Sequence, residues 1–249
     1  MKKLIDKVAV VTGGNSGIGL AIARAFIAEG ATVVVVGRRA EAIDAATADL
    51  GPRAVGLVGD VADLATHDRV AALVRQRFGA ADIYVANAGV NLIQATPDVT
   101  PGDYDAQFLT NARAAFFGVQ RMMPVLRDGG AVILTSSIAA RKVLDGHAVY
   151  AGSKAAIEAF ARNWALELKD RRIRVNVLSP GPTATPILAK LGVPATDLPG
   201  FEAQVAGLMP FGRLAEVDEL ARAAVFLASA DAGFVTGVNL AVDGGVSLV

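Results

Sequence analysis

The stretch Thr12-Gly13-Gly14-Asn15-Ser16-Gly17-Ile18-Gly19 separates a short apolar run from a segment with helical spacing of apolar residues. The run Lys7–Thr12 predicts a buried β-strand, and Gly17–Glu29 predicts a helix. Glycine lets the backbone reverse at the turn, and it lets an anionic group approach the free N–H groups at the helix start. The stretch therefore predicts a strand-turn-helix unit that binds phosphate, although a plain connecting turn could use the same residues.

The same alternation of strand and helix continues along the chain. Further β-branched runs predict strands at Thr32–Gly37, Ala54–Gly59, Ile83–Ala86, Ala131–Ser136, Arg174–Leu178 and Val238–Val242. Segments between them predict helices at Ala40–Leu50, His67–Phe78, Pro101–Phe108, Ala112–Leu126, Val149–Asp170 and Glu216–Ala228. Right-handed crossovers then give an α/β fold: a doubly wound, Rossmann-type parallel sheet of about seven strands with helices on both faces.

Composition excludes several classes of function. The 249 residues include 24 basic and 24 acidic ones, so no net charge favours nucleic acid or a membrane surface as a partner. Cysteine is absent and histidine occurs twice, which excludes disulfides and Cys-rich or His-rich metal sites, so we predict no metal ligand. An oxygen-ligated structural ion stays open. Without a signal sequence or an apolar stretch of about 18 residues, we expect a cytoplasmic protein.

The chain is predicted to form one domain over residues 1–249, since it has no linker, repeat or low-complexity tract. Its most irregular segment spans residues 180–214 and is rich in proline. A loop of this length in a compact domain is usually functional. We predict that it forms a lid over a substrate.

The end of the second predicted strand indicates which dinucleotide the glycine-rich turn would bind. An NAD site places Asp or Glu there to bond the ribose hydroxyls. This chain has Gly37-Arg38-Arg39, and two guanidiniums can bond a 2′-phosphate, so the cofactor is predicted to be NADP. A solvated helix start is the alternative for the two arginines. Asp60-Val61 and Asn87-Ala88-Gly89 follow the next strands and could contact adenine and its ribose, or form ordinary turns.

Tyr150 and Lys154 share one face of a predicted helix, because residues four apart are neighbours there. Lowering the phenol pKa by about three units needs about 4 kcal/mol, roughly what a unit charge about 4 Å away supplies. Lys154 is therefore expected to let Tyr150 exchange a proton with a carbonyl or alcohol near neutral pH. Ser137, which follows the fifth strand, would bond the same oxygen. An ordinary surface helix is the alternative.

Together these residues resemble the short-chain dehydrogenase/reductase family. The matching motifs are Thr12-Gly13-x-x-x-Gly17-x-Gly19, Asp60-Val61, Asn87-Ala88-Gly89, Asn111, Ser137, Tyr150-x-x-x-Lys154, Pro180-Gly181-x-x-x-Thr185 and Val242-Asp243-Gly244-Gly245. The resemblance implies that Tyr150 is the general acid/base, that Lys154 lowers its pKa and holds the nicotinamide ribose, and that Ser137 orients the substrate. It also implies that Asn111 kinks its helix around a water in a proton relay. The expected cofactor contacts are Gly13, Asn15, Ser16, Gly17, Ile18, Gly19, Gly37, Arg38, Arg39, Asp60, Val61, Asn87, Ala88, Gly89, Tyr150, Lys154, Pro180, Gly181, Thr183 and Thr185.

The sequence thus predicts an NADP(H)-dependent enzyme that interconverts a ketone and a secondary alcohol, similar to bacterial secondary alcohol dehydrogenases that accept bulky ketones. The apolar residues of segment 180–214 favour bulky substrates. The apolar faces of the helices at 112–126 and 149–170, with the family's habit, predict a homotetramer. A 3-oxoacyl-thioester reductase is the first alternative, with Arg171, Arg172 and Arg174 as its candidate basic patch. A non-catalytic module that senses NADPH is a second.

Overall fold

The computed structural model describes residues 2–185 and 196–249, and in these ranges it confirms the predicted fold class. Seven parallel strands form one sheet in the order β3-β2-β1-β4-β5-β6-β7. The strands are β1 Val8–Thr12, β2 Thr32–Gly37, β3 Ala54–Val58, β4 Ala81–Ala86, β5 Leu126–Thr135, β6 Arg174–Pro180 and β7 Asn239–Val242. The strand order reverses between β1 and β4, and the carboxyl ends of these strands form the crevice where doubly wound folds bind ligands.

Helices cover both faces of the sheet. They are α1 Gly17–Ala28, α2 Ala40–Leu50, α3 Leu64–Phe78, α4 Pro101–Phe108, α5 Ala114–Met122, α6 Ala148–Glu167, α7 Leu198–Gly207 and α8 Val217–Ala228. Alternate residues of β1 point to the two faces: Val8 and Val10 pack with α3, α5 and α6, while Ala9 and Val11 pack with α1, α2 and α8. Because both faces are covered, most of the strands are nearly continuous apolar runs, as the sequence indicated.

Several boundaries differ from the sequence prediction. The side chain of Asp63 accepts a hydrogen bond from the N–H of Ala65, so α3 begins at Leu64 rather than at His67. The helix predicted over Ala112–Leu126 is divided into a π-helical turn at Leu109–Arg113, then α5, then a 3-10 turn at Met123–Val125. The predicted lid contains a regular element, α7, over Leu198–Gly207.

None of the helices in the described ranges combines the length and the apolar character that a membrane crossing needs.

Candidate active site

The glycine-rich turn after β1 requires glycine at specific positions. Gly13 and Gly17 have φ angles of +65° and +53°, which side chains of L-residues rarely adopt. A Cβ atom on Gly19 would lie 2.2 Å from the carbonyl oxygen of Gly13. The first turn of α1 can therefore pack directly on the turn only because Gly19 has no side chain.

Hydrogen bonds from Thr12 and Asn87 hold the carboxyl ends of β1, β4 and β5 together. Thr12 Oγ1 accepts from the main-chain N–H groups of Asn87 and Ala88, at 3.0 and 3.1 Å. Asn87 Nδ2 donates to the carbonyl oxygen of Thr12 at 3.0 Å, and Asn87 Oδ1 accepts from Thr135 Oγ1 at 3.4 Å. The segment Asn87-Ala88-Gly89 thus lies directly beside the glycine-rich turn.

The amino end of α1 faces this crevice. Ser16 has an extended backbone conformation as the N-cap residue, but its side chain makes no capping hydrogen bond. Ile18 is partly buried and packs against the α1 side of the core. A Cβ atom on Gly37 would lie 2.4 Å from Asn15 Oδ1, so the end of β2 packs closely on the turn. The free N–H groups of α1 and its positive dipole end suit an anionic group here.

Arg38 and Arg39 follow β2 at the same edge of the sheet, and both are exposed. Arg38 Nη1 lies 4.0 Å from Asp60 Oδ2, with 63% and 45% of the two side chains exposed, so this is a loose surface pair. Asp60 also accepts a hydrogen bond from the N–H of Ala62 at 2.9 Å. The neighbouring Val61 is buried, and its carbonyl oxygen is 2.8 Å from Nε2 of His67. Both guanidiniums remain accessible to a phosphate.

Tyr150 and Lys154 lie on α6 beside the end of β5. Lys154 is 3% exposed, and its Nζ donates to the carbonyl oxygen of Thr135 at 2.8 Å. The same Nζ lies 5.8 Å from the centre of the Tyr150 ring. The spacing of four residues therefore brings the ammonium next to the phenol, but its direct partner is a main-chain oxygen.

The pKa values of this pair differ from the argument based on charge alone. Burial lowers the pKa of Lys154 to about 8. Burial also raises the pKa of Tyr150, and a hydrogen bond with the Ser137 side chain opposes that rise without cancelling it. Burial therefore shifts the phenol pKa in the direction opposite to the one expected from the charge of Lys154, because desolvation of the phenolate is the larger effect.

Ser137 lies between β5 and a 3-10 turn at Ile138–Ala140, where it is the N-cap residue. Its Oγ accepts a hydrogen bond from the N–H of Ala139 at 3.2 Å. The hydroxyl can still donate, since this bond uses only an oxygen lone pair. The structure thus brings Ser137, Tyr150 and Lys154 together at the carboxyl edge of the sheet.

Asn111 lies inside the π-helical turn at Leu109–Arg113 and is 1% exposed. Its Oδ1 accepts from the N–H of Val90 at 2.8 Å, while its Nδ2 donates to the carbonyl oxygen of Val90 at 2.9 Å and to Ser153 Oγ at 3.0 Å. A Cβ atom on Gly89 would lie 3.2 Å from both Asn111 Oδ1 and Lys154 Nζ. The helical irregularity expected at Asn111 is present, and Asn111 connects the segment after β4 to α6.

The segment after β6 is described in part. Pro180 ends β6, and the N–H of Gly181 donates to the carbonyl oxygen of Val242 at 3.0 Å. Thr183 is buried and bonds the carbonyl oxygen of Gly181, and Thr185 is partly buried. Residues 186–195, which include the apolar positions Ile187, Leu188, Leu191 and Val193 of the predicted lid, lie outside the described residues.

The described end of the predicted lid packs against residues close to Ser137. Met209, Ile138 and Val246 form a small buried cluster, which joins the end of the lid to the 3-10 turn after Ser137 and to the last residues of the chain. Leu208 and Phe211 are 67% and 73% exposed. The apolar residues of this segment therefore divide between packing and exposure.

The basic cluster expected to serve an acyl carrier lies elsewhere. Arg174 begins β6, at the edge of the sheet opposite to Tyr150. Its guanidinium bonds the carbonyl oxygen of Leu227 at 2.6 Å, and that of Arg171 bonds the carbonyl oxygen of Met123 at 2.7 Å. Arg171 and Arg174 bond main-chain carbonyl oxygens at the ends of helices and turns, at the edge of the sheet away from Tyr150. These two arginines therefore form no basic patch at the mouth of the site.

Three residues that the sequence did not single out, Thr135, Ser136 and Glu158, contribute to the geometry of the site, together with Thr12, which was named only as the first residue of the glycine-rich motif. Thr12 and Thr135 end two strands that meet at the crevice, and their positions in the sequence could have indicated that they lie in the site. Glu158 is four residues after Lys154 and so shares its helix face, but its burial could be seen only in the structure.

Comparison with known proteins finds relatives that match nearly the whole chain. A sequence profile of a family described as enoyl-(acyl carrier protein) reductase matches residues 13–247. An oxidoreductase of Sarocladium schorii is 40% identical over an alignment of 251 positions, which covers 100% of this chain and 99% of that protein. A hydroxynaphthalene reductase-like protein of Metarhizium majus is 35% identical, over 98% of this chain and 96% of its own.

Two further proteins extend the comparison. D-threitol dehydrogenase of Mycolicibacterium smegmatis is 38% identical, over 99% of this chain and 95% of its own length. The solved structure of a short chain dehydrogenase/reductase family protein superposes with a TM-score of 0.88 and 38% identity, over 100% of both chains. The chain therefore belongs to the short-chain dehydrogenase/reductase family, whose members are oxidoreductases that use NAD or NADP.

Proposed function

We propose that this chain is an NADP(H)-dependent oxidoreductase that interconverts a ketone and a secondary alcohol. The observation that carries the proposal is the convergence of Ser137, Tyr150 and Lys154 at the end of β5, beside the crevice where the strand order reverses. A hydroxyl, a phenol and an ammonium around one position suit a reaction in which a carbonyl oxygen gains or loses a proton.

The residues around the crevice fit a dinucleotide with a 2′-phosphate. The turn from Gly13 to Gly19 and the amino end of α1 would hold the pyrophosphate, and Arg38 and Arg39 the 2′-phosphate. Asp60, Val61 and the segment Asn87-Ala88-Gly89 would contact the adenosine. Lys154, Tyr150, Thr183 and Thr185 would hold the nicotinamide end. Bound NADPH would supply the hydride.

The phenol of Tyr150 would give its proton to the carbonyl oxygen during reduction. Because burial raises the pKa of Tyr150, the phenol is protonated at neutral pH, which is the state that reduction needs. Lys154 is fixed by its hydrogen bond to Thr135, and its charge beside the ring would stabilise the phenolate that forms. Ser137 would donate a hydrogen bond to the same substrate oxygen and orient it.

The substrate is proposed to be a bulky, apolar ketone or the matching alcohol. The exposed side chains of Leu208 and Phe211, at the end of the predicted lid, support an apolar wall. The name of one relative refers to a hydroxynaphthalene, which supports an aromatic substrate, whereas the name of another refers to threitol, a small polyol, which does not. The cytoplasmic location stays a prediction from the sequence.

The test is the oxidation of NADPH, followed by its absorbance, with a panel of ketones from acetone through aryl alkyl ketones to a keto acid. We expect the highest kcat/KM for the aryl ketones, since each buried methylene adds up to about 0.8 kcal/mol. A 3-oxoacyl thioester and an enoyl thioester belong in the panel, because the matching family profile is described by an acyl-carrier reductase. Turnover of the 3-oxoacyl thioester alone would overturn the proposed substrate class but not the reaction, because its 3-oxo group is also a ketone. Turnover of the enoyl thioester alone would overturn the reaction.

We also propose that the protein is a homotetramer. A groove of about 590 Å³ between α4 and α6 is lined by apolar and aromatic residues, among them Tyr104, Phe108 and Val149. Leu166 near the end of α6 is 66% exposed, and Phe234 before β7 is fully exposed. Apolar surface of this kind favours contact with other protein surfaces. A monomer in light scattering at micromolar concentration would contradict the tetramer.

A further inference from the structure

A buried carboxylate lies one helical turn beyond Lys154 on α6. Glu158 is 6% exposed, although a charged side chain is rarely buried unless it is paired. It shares the helix face of Tyr150 and Lys154, because the three residues follow one another at intervals of four. The proposed reaction gives this carboxylate no role, so its burial needs another reason.

Glu158 bonds three elements that surround the site. Its Oε2 accepts from Arg141 Nε at 2.8 Å. Its Oε1 accepts a hydrogen bond from Asn239 Nδ2 at 2.6 Å and from Ser136 Oγ at 3.4 Å. Asn239 is the first residue of β7. The single hydroxyl proton of Ser136 is shared between Glu158 Oε1 and the carbonyl oxygen of Lys154, which is 3.1 Å from Ser136 Oγ. One carboxylate thus connects α6 to the end of β5, to β7 and to the turn after Ser137.

Arg141 and Ser136 flank the segment that carries Ser137. Ser136 immediately precedes Ser137, and Arg141 is the C-cap residue of the 3-10 turn that Ser137 begins. The N–H groups of Arg141 and Lys142 both bond the carbonyl oxygen of Ile138, at 2.9 and 2.8 Å. Contacts from Glu158 therefore fix both ends of this short turn relative to the helix that carries Tyr150 and Lys154.

We propose that Glu158 and Arg141 form a positioning pair that sets the place of the Ser137 hydroxyl relative to the Tyr150 phenol. The inference rests on the proposed function for the roles of Ser137 and Tyr150, but the contacts themselves do not. Burying a carboxylate is costly unless it is paired and hydrogen-bonded, so loss of Arg141 leaves Glu158 Oε2 without its partner and favours a shift of Glu158 or of the turn. A reaction that needs near-attack geometry is sensitive to such a shift.

The first measurement is amide hydrogen exchange over the turn, which does not depend on activity. We expect Glu158→Gln and Arg141→Gln each to speed exchange of the N–H groups of residues 139–142 by at least fivefold, and Arg141→Lys to restore most of the protection. Asp49→Asn is the matched control, because Asp49 pairs with Arg24 at 2.6 Å while 53% and 54% of the two side chains are exposed. It should leave exchange in the turn unchanged.

The second measurement is steady-state kinetics with the best ketone of the panel. We expect Glu158→Gln and Arg141→Gln to lower kcat at least tenfold while KM for NADPH changes less than twofold. Arg141→Lys should recover most of kcat, and the double variant should lose no more than the worse single one. Arg141 has 61% of its side chain exposed, so Arg141→Gln remains informative if Glu158→Gln fails to fold.

The outcomes separate the two proposals. If the parent protein turns over no ketone, the proposed function is wrong, and the exchange data alone decide whether the pair positions the turn. Unchanged exchange over residues 139–142 in both single variants would overturn the inference. Faster exchange with kcat within twofold of an active parent would overturn it too, because the pair would then stabilise the turn without serving the reaction.

Discussion

Replacing Gly19 by alanine tests the turn on which both the fold and the cofactor site depend. The added methyl group would lie 2.2 Å from the carbonyl oxygen of Gly13 and 2.5 Å from Asn87 Nδ2. Ordinary contact begins at 3.4 Å, so the turn and α1 must separate by about 1.2 Å. Overpacking of this kind costs about 1–3 kcal/mol, which lowers Tm by roughly 2–12 °C in a domain of this size.

The matched control is Gly102→Ala in α4, where the nearest heavy atom, Thr100 Oγ1, is 3.8 Å from the added Cβ. Alanine should stabilise this exposed helical position by up to about 1 kcal/mol. Urea unfolding gives both free energies, and a fluorescence titration gives the Kd for NADPH. We expect Gly19→Ala to weaken NADPH binding at least tenfold and Gly102→Ala to leave it unchanged. If Gly19→Ala unfolds like the parent and binds NADPH as tightly, the packing argument for the turn is wrong.

Three other perturbations examine the site. Replacing Arg38 and Arg39 by serine should raise KM for NADPH about 100-fold, because two charge-assisted contacts at about 1.5 kcal/mol each are lost. KM for NADH should change little. Equal effects on the KM values of both cofactors would contradict the assignment of NADP. Because burial lowers the pKa of Lys154 to about 8, kcat/KM for ketone reduction should fall as pH rises through that value and the charge disappears. A flat profile up to pH ~10 would show that no group with a pKa near 8 controls the reaction, which would contradict either the lowered pKa of Lys154 or the need for its charge. Val246→Ala opens the cluster with Ile138 and Met209, so it should cost about 1–3 kcal/mol and raise KM for aryl ketones more than for acetone. Val143→Ala, at a position 95% exposed, is its control and should change stability by less than about 0.5 kcal/mol.

The sequence predicted most strands well, because the central ones lie between two helix layers and are nearly continuous apolar runs. It missed the start of β5, which begins at Leu126 rather than Ala131. Leu126 pairs with Ala81, and the register then shifts before Ala131 pairs with Ile83. The intervening Asp128-Gly129-Gly130 has the composition of a turn. Local composition could not show that a neighbouring strand holds these residues in the sheet.

The motifs predicted a candidate site at the carboxyl edge of the sheet, where the structure brings Ser137, Tyr150 and Lys154 together, but they left its electrostatics undetermined. Spacing put Lys154 beside Tyr150, whereas the main-chain acceptor of its ammonium, the carbonyl of Thr135, comes from another strand. Burial depends on every element packed around a group, so its effect on the pKa of Tyr150 could not be read from one helix. The contacts of Glu158 with Arg141 and Asn239 likewise join residues 17 and 81 positions apart.

Tyr150→Phe tests the central claim most directly, because it keeps the ring and removes the proton. The measurement is kcat for reduction of an aryl ketone at saturating NADPH, together with the Kd for NADPH from fluorescence. The account predicts that kcat falls at least 100-fold while the Kd changes less than about fivefold. If the Tyr150→Phe variant keeps more than about a tenth of the parent kcat, Tyr150 is not the proton donor.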